Sequence, residues 1–589
     1  MKTYTILKRF NLSLKIGSIT VRTREKGLNF MPKKMYGADV VVDSLRKHHV
    51  GLVFGIPGAK IDRLFESLED GTANNPKLIV TRHEQNAIFM AQAYARLTGK
   101  TGVTIATSGP GVGNLTTGLM TASAEGDAVL AIGGQVQRKD LHRATHQSAP
   151  STMIMSPITN YAAEIQDPEN ISEIMANAFE ASQGPRHGGA FVSLPQDVDD
   201  AVVKQEPLPY YNGAQQGPAA QQALCHLATL ISQAKLPVLL VGLRGADDRT
   251  AAALRNLMKH YHLPVVETYQ AAGLVPRELE HVSYFGRVGL FRNQVGDRLL
   301  SASDLVVTVG YDPIEYEPRN WNKEGHLRII DLDTTAAQID NNFQPEMQLV
   351  GDLAESLDNL DKLLSGYQLP NDATKRLAKF RQELIQEDKI DKPSANGKTN
   401  HPLAVVEALQ KQVNDDTIVT VDVGSHYIWM ARHFRCYKPR HLLMSNGMQT
   451  LGVALPWAMV ASLLHPERKI LAVCGDGGFL YSGAELATAV AHHLNLVMVV
   501  WNDGGHYDMV RFQEELKYDK PAGIKFGEVN IVKYAESFGA TGLRVDQPAD
   551  LSKVLKKAFA TDGPVVVDVP VDYSHNKELA ASLVDSALG

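Results

Sequence analysis

Two short stretches late in the chain hold residues that could do chemistry together: Gly475-Asp-Gly-Gly478 and Asn502-Asp503. Each follows an apolar run of strand length, Lys469 to Cys474 and Leu496 to Trp501. Between them, Ser482 to His493 places Ala484, Leu486, Ala487, Val490 and Ala491 on one helical face. A strand–helix–strand unit with parallel strands puts Asp476 and Asp503 at strand carboxyl ends, where open α/β sheets bind ligands. Two carboxylates beside amides bared by glycine suit a hard cation that holds phosphate oxygens. The same residues also fit a plain turn and a helix-capping aspartate with no ligand. Near the other end, Glu84 opens a helix, where an acid either compensates the helix dipole or serves a reaction.

The surrounding elements alternate. Strands are expected at Gly51 to Phe54, Lys77 to Val80, Gly102 to Thr107, Ala128 to Ile132 and Ala190 to Leu194. Helices stand between them, including the small-residue-rich Glu84 to Leu97. Residues 199–218, with Pro207, Pro209, Gly213, Gly217 and Pro218, read as a linker. Further strands are expected at Pro237 to Gly242, Pro264 to Val266, Leu305 to Gly310 and Arg328 to Asp331. Asp372 to Lys398 reads as a charged helix and a second linker, and His401 opens the last domain.

Such alternation predicts parallel sheets covered on both faces. The ends of the chain look like copies. Gly109-Pro-Gly111 answers Gly475-Asp-Gly477, Gly55 answers Gly424, and Gly184-Pro185 and Pro195 answer Gly563-Pro564 and Pro570, in the same order. The expected fold is α/β, with three doubly wound parallel-sheet domains, the first and last homologous. The domains are expected at 35–198, 218–385 and 401–589, after an N-terminal extension of 1–34.

With 589 residues the chain is too long for one core. A net charge of −6 gives no reason to expect nucleic acid or a membrane surface as partner, and no apolar run is long enough to span a bilayer. Cys225, Cys436 and Cys474 are scattered and lack metal-ligand spacing, which fits free thiols in a reducing, cytoplasmic setting. The first 34 residues are basic with one acid, Glu25, and no apolar core. A poorly ordered extension is the expectation there, and a transit peptide the alternative.

Taken together, Gly475-Asp-Gly477 with Asn502-Asp503, Arg82-His-Glu-Gln-Asn-Ala87, Thr107-Ser-Gly-Pro-Gly111 and Gly447-Met-Gln-Thr-Leu-Gly-Val-Ala-Leu-Pro456 resemble the thiamine diphosphate enzymes, and within them the acetolactate synthase family. The resemblance covers nearly all of the chain after about residue 35. It implies that Asp476 and Asp503 bind Mg²⁺, with a carbonyl near Gly505 as a further ligand. It implies that Gly477, Gly478 and the Gly424-Ser425-His426 turn meet the diphosphate, that Gly58 and Gln449 belong to the cofactor site, and that Leu451 wedges the cofactor into a bent shape. Without the resemblance, Leu451 reads as an ordinary core leucine.

Glu84 would hydrogen-bond the aminopyrimidine ring and so promote proton removal from the thiazolium carbon. The resulting carbanion would attack pyruvate, and after loss of CO₂ a second pyruvate would take the two-carbon fragment, giving 2-acetolactate. Gln147 would lie near the substrate. Gln513 falls where biosynthetic members carry a Trp that favours 2-ketobutyrate, so Gln there implies the pyruvate-using, catabolic branch. Tyr311-Asp-Pro-Ile-Glu-Tyr316 replaces an Arg-Phe-Asp-Asp-Arg stretch that helps hold FAD in biosynthetic members, so FAD is expected not to be required. Arg244, in Gly242-Leu-Arg-Gly245, reads as a solvated loop residue or, alternatively, an anion contact.

Glu84 and the metal site lie in different domains. The family solves this by pairing two chains, which implies a homo-oligomer, a dimer at least and a tetramer by expectation. One departure stands out: Gly504-Gly-His-Tyr-Asp508 holds one residue more than the family pattern, which leaves the carbonyl ligand open.

The nearer rivals are pyruvate oxidase, a 2-oxo-acid decarboxylase and a biosynthetic acetohydroxyacid synthase. A nicotinamide dehydrogenase fits poorly, because Gly109-Pro-Gly-Val-Gly113 misplaces the third glycine and no acid follows the next strand. A scaffold without activity would not need Glu84, Asp476 and Asp503 together.

Overall fold

The structure, a computed structural model, describes residues 34–576 and 579 apart from 210, 212, 293, 390–396 and 519. The expected N-terminal extension, up to residue 33, lies outside the described residues.

Among the described residues, eighteen strands form three six-stranded sheets. The first holds β1 (Leu52–Ile56), β2 (Lys77–Val80), β3 (Gly102–Ala106), β4 (Val129–Gln135), β5 (Tyr161–Glu164) and β6 (Gly189–Pro195), in the order β2-β1-β3-β4-β6-β5. The second holds β7 (Pro237–Val241), β8 (Val265–Thr268), β9 (Tyr284–Val288), β10 (Leu305–Val309), β11 (Ile329–Asp333) and β12 (Met347–Val350), ordered β12-β11-β10-β7-β8-β9. The third holds β13 (Val419–Val421), β14 (Leu442–Met444), β15 (Ile470–Gly475), β16 (Leu496–Asn502), β17 (Thr541–Arg544) and β18 (Val565–Pro570), ordered β14-β13-β15-β16-β18-β17. Every strand pairing is parallel.

Counted from its own first strand, the third sheet repeats the order of the first, as the paired landmarks predict. The middle sheet instead reverses direction between β7 and β10. Helices cover both faces, so the inner strands are continuous apolar runs: β3, β4, β6 and β10 are buried at every residue.

The first and third domains share a core. Ala87, Ala91 and Ala93 of the Glu84–Thr98 helix and Ala454, Trp457, Ala458 and Ala461 of the Ala454–Leu464 helix are all buried in it. Small side chains on both helices let the backbones approach. One expectation changes: the helix after the glycine turn starts at Asp476, not Ser482, and runs Asp476–Ser482, a 3₁₀ turn Gly483–Glu485, then Leu486–Ala491. Glycines 477 and 478 are helical here, because the backbone enters the helix directly from β15.

Candidate active site

At the carboxyl end of the third sheet, β15 delivers Asp476 as the first residue of its helix, and Asp503 directly follows β16 on the neighbouring strand. Asp476 Oδ1 accepts the Gly477 amide at 2.9 Å and Oδ2 the Gly505 amide at 2.9 Å. Asp503 Oδ1 accepts the His506 amide at 3.0 Å, while its Oδ2 is buried with no hydrogen-bond partner among the described residues. Burial raises both carboxyls above their ordinary range, and the charge of Asp476 raises Asp503 further. Two buried carboxylates side by side are costly unless a cation joins them.

The donors here fit a hard cation. Among the described residues no group of three or more His, Cys, Asp or Glu side chains is placed for a metal, so such a cation must complete its shell with carbonyl, water or phosphate oxygens. Gly505 turns its amide toward Asp476, and its carbonyl accepts the Phe526 amide at 3.0 Å.

Glycine is required around this loop. A Cβ on Gly478 would lie 2.7 Å from Asp422 Oδ1, and one on Gly477 3.0 Å from the Tyr507 ring. Asp422 is fixed by the amides of Val423 (3.0 Å), Gly452 (2.9 Å) and Ala454 (3.0 Å). It therefore anchors the segment that carries Gln449, at φ +50°, and half-buried Leu451. Gly424 has φ +151°, and a Cβ there would meet the His426 ring at 2.8 Å. His426 is buried, its pKa lowered by burial to about 3, and its Nε2 has no partner among the described residues. The Ser425 hydroxyl is already engaged, donating to Asp508 at 3.1 Å and accepting from Asn576 at 2.9 Å. Half-buried Gln513 stands on the next helix, Asp508–Lys517.

The corresponding edge of the first sheet gathers a second cluster. Glu84 opens its helix behind the N-cap His83, whose Nδ1 accepts the Gln85 amide. Asn114 donates to Glu84 Oε2 at 2.9 Å, and a Cβ on Gly111 would come within 3.4 Å of Glu84 Oε1. A Cβ on Gly58 would strike Thr107 at 2.6 Å, and Gly109 (φ +65°) backs onto Gln147 (φ +62°), with its Cβ position 3.1 Å from the Gln147 Cβ. Gly58, Glu84 and Gln147 thus share one loop cluster, beside the buried Thr107 and Ser108 hydroxyls that lack partners among the described residues. Within the chain, among the described residues, no hydrogen bond joins Glu84 to Asp476 or Asp503.

Three family descriptions match the chain in this order. They are the thiamine pyrophosphate enzyme N-terminal TPP binding domain over residues 35–155, the central domain over 224–360 and the C-terminal TPP binding domain over 422–569. An acetolactate synthase of Bacillus subtilis (strain 168) is 48% identical over 556 residues, spanning 94% of this chain and 96% of its own. The chain belongs to the acetolactate synthase family of thiamine pyrophosphate enzymes. A catabolic acetolactate synthase of Raoultella terrigena is 42% identical over 93% of this chain and 97% of its own. The large subunit of acetolactate synthase isozyme 1 of Escherichia coli (strain K12) is 29% identical over 92% and 94%.

Against the family pattern, one sequence reading is corrected. Arg244 is not a solvated loop residue: it bonds Asp333 at 2.8 and 2.5 Å, Asp312 at 3.0 Å and the Tyr311 carbonyl at 3.1 Å. Those partners stand at the ends of β10 and β11, so they are far from Arg244 in sequence. A cavity of about 720 Å³ opens beside this network, lined by Arg96, Glu125, Arg244, Gln270, Asp312 and Glu315. It lies apart from the glycine loops. The paired carboxylates stand at the glycine loops and not in this cavity.

Three functional supports escaped the sequence reading: Asp422, Glu125 and Glu485. Glu125 pairs with Arg96 at 2.5 Å and accepts the Met448 amide at 3.0 Å, tying the first domain to the Gln449–Leu451 segment. Asp422 had a signal, an acid just before Gly424 at a strand end. Glu125 and Glu485 had none, since both act across domains.

Proposed function

We propose that this protein condenses two molecules of pyruvate to 2-acetolactate and CO₂, with thiamine diphosphate and Mg²⁺ as cofactors and without FAD. The observation that carries the reading is the presence of both halves of a thiamine site, Glu84 beside its glycine loop and Asp476 with Asp503 beside theirs, on two sheets of the same strand order. The catabolic relative supports the pyruvate-using branch.

Bound thiamine diphosphate supplies the electron sink for decarboxylating a 2-oxo acid. Asp476 and Asp503 would hold the cation, and the bare Gly477 and Gly478 backbone would leave a diphosphate room beside the helix amides. Ser425, with its hydroxyl committed to Asp508 and Asn576, contributes through its backbone. Leu451, Gln449 and Gly58 shape the cofactor cleft. Glu84 would hold a proton for the cofactor's aminopyrimidine ring, and Gln147 and Gln513 would contact the substrate.

The working unit is a homodimer in a cytoplasmic tetramer, with Glu84 of one chain completing the metal-bearing half of another. The domains divide at 35–198, 218–385 and 401–589. No helix among the described residues is long and apolar enough to cross a membrane.

Product analysis tests the reading. Purified protein with pyruvate, Mg²⁺ and thiamine diphosphate but no FAD is expected to yield acetolactate. Acetaldehyde alone identifies a decarboxylase. Acetyl phosphate or peroxide, formed only when FAD, phosphate and oxygen are added, identifies an oxidase.

A further inference from the structure

The geometry points to Glu485 as a positioning residue that fixes Glu84 from the opposite domain. Glu485 is fully buried and closes the 3₁₀ turn that continues the Asp476 helix. Its Oε1 accepts three N–H groups from the first domain: the Arg82 amide at 2.8 Å, the His83 amide at 3.1 Å and Asn86 Nδ2 at 3.0 Å. Its Oε2 accepts the Thr488 hydroxyl at 2.9 Å.

Arg82 and His83 are the two residues immediately before Glu84, and Asn86 lies on the first turn after it. The amides leading into the Glu84 helix are thus held by one carboxylate from another domain, while His83 covers the Gln85 amide. Hydrogen bonds to an ionised acceptor are about twice as strong as neutral ones, and an anion at a helix start is favoured by the dipole. The shared core is made of apolar side chains held by the non-directional hydrophobic effect, and the Glu485 carboxylate adds directional hydrogen bonds to it.

A carboxylate that must meet one ring nitrogen is sensitive to small displacements, since a misplacement of about 1 Å costs on the order of 100-fold in rate. Glu485 also stands nine residues after Asp476 on one continuous helical stretch. The segment that begins at the metal loop therefore ends on the Glu84 helix. This inference rests on the proposed role of Glu84, and its test separates the two.

The test compares Glu485→Ala, Glu485→Gln and Glu485→Asp with Glu84→Gln in the full-length enzyme. Gln keeps an oxygen for the three donors and turns its NH₂ to Thr488, so Glu485→Gln is expected to stay within about fivefold of the parent in kcat. Glu485→Ala is expected to lose about 30-fold or more in kcat, with KM for pyruvate and the Kd of thiamine diphosphate within about threefold. Without pyruvate, deuterium exchange at the thiazolium carbon of bound cofactor is expected to slow by the same factor. Amide exchange in residues 82–87 is expected to quicken, with or without cofactor.

Should the Ala variant fail to fold, Glu485→Asp decides. A carboxylate shorter by one methylene is expected to lose about tenfold in kcat at nearly unchanged Tm. Parental kcat and thiazolium exchange in Glu485→Ala or Glu485→Asp overturn the inference. So does a loss in which kcat, cofactor affinity and Tm fall together in the Gln variant, which marks a purely structural residue. If Glu84→Gln itself leaves thiazolium exchange unchanged, the role of Glu84 fails, whatever the amide exchange at 82–87 shows about Glu485.

Discussion

Asp476 and Asp503 end adjacent parallel strands with their carboxylates buried together, and Asp503 keeps one oxygen without a partner among the described residues. Burial and mutual repulsion hold protons on this pair above the usual carboxylate range. A cation must displace that proton, so Mg²⁺ affinity in the presence of thiamine diphosphate is expected to strengthen as pH rises through neutrality, by up to about tenfold per unit. Asp503→Asn removes a proposed ligand and the repulsion together. It is expected to leave metal-free Tm equal or higher, to abolish the Tm gain from Mg²⁺, and to cut turnover by about 100-fold or more. Thermal melts in chelator and in Mg²⁺ check this.

Gly478→Ala tests the packing behind the phosphate loop. The new Cβ would lie 2.7 Å from an Asp422 oxygen that is held by backbone amides and cannot retreat. The expected cost is about 1–3 kcal/mol of stability. Because Asp422 also holds Gly452, next to Leu451, cofactor Kd is expected to weaken by about tenfold or more, as read by tryptophan fluorescence titration.

The sheets and the site differed in how far they could be read from sequence. Most buried central strands were legible as short apolar runs, but β18 was marked only by the flanking Gly563-Pro564 and Pro570, and β5, β9, β12, β14 and β17 passed unseen. All five are edge strands, and β5, β12 and β17 expose much of their length, so no apolar run marks them. β13 has only three residues, too few for a pattern. Asp476, Asp503 and Glu84 were legible because glycine, acid and strand end fall close together in the chain. Arg244 was misread because Asp312 and Asp333 come to it from other strands. Glu485 stayed hidden because the amides it binds are some 400 residues away.

Asp199 gives the protein a pH-dependent weakness far from the chemistry. It is 1% exposed, and burial, then the charge of Asp200, raises it to about 7. The folded state therefore keeps a proton that the unfolded chain loses near pH 4, and stability falls as pH rises from about 4 to 7. Asp199→Asn is expected to remove this slope. The stability difference between variant and parent should be small at pH 4 and should favour the variant at pH 8, by on the order of 2–4 kcal/mol. Denaturant melts at the two pH values measure it.

If each site is shared between chains, two dead variants should rescue each other. Glu84→Gln and Asp503→Asn, co-expressed and purified as mixed dimers, leave one intact site per mixed dimer. Random pairing predicts about a quarter of parental activity in the unfractionated mixture and about half in the purified mixed dimers. Mixed dimers with no recovered activity would place both residues in one chain's site.

Glu84 acting with the Asp476 loop in one thiamine site is the central proposal. Its most direct measurement is the rate of acetolactate formation by Glu84→Gln, with Tm and thiamine diphosphate binding determined on the same preparation. Parental Tm and cofactor Kd with turnover lowered by about 100-fold or more is the predicted result. Acetolactate formation at the parental rate would contradict it.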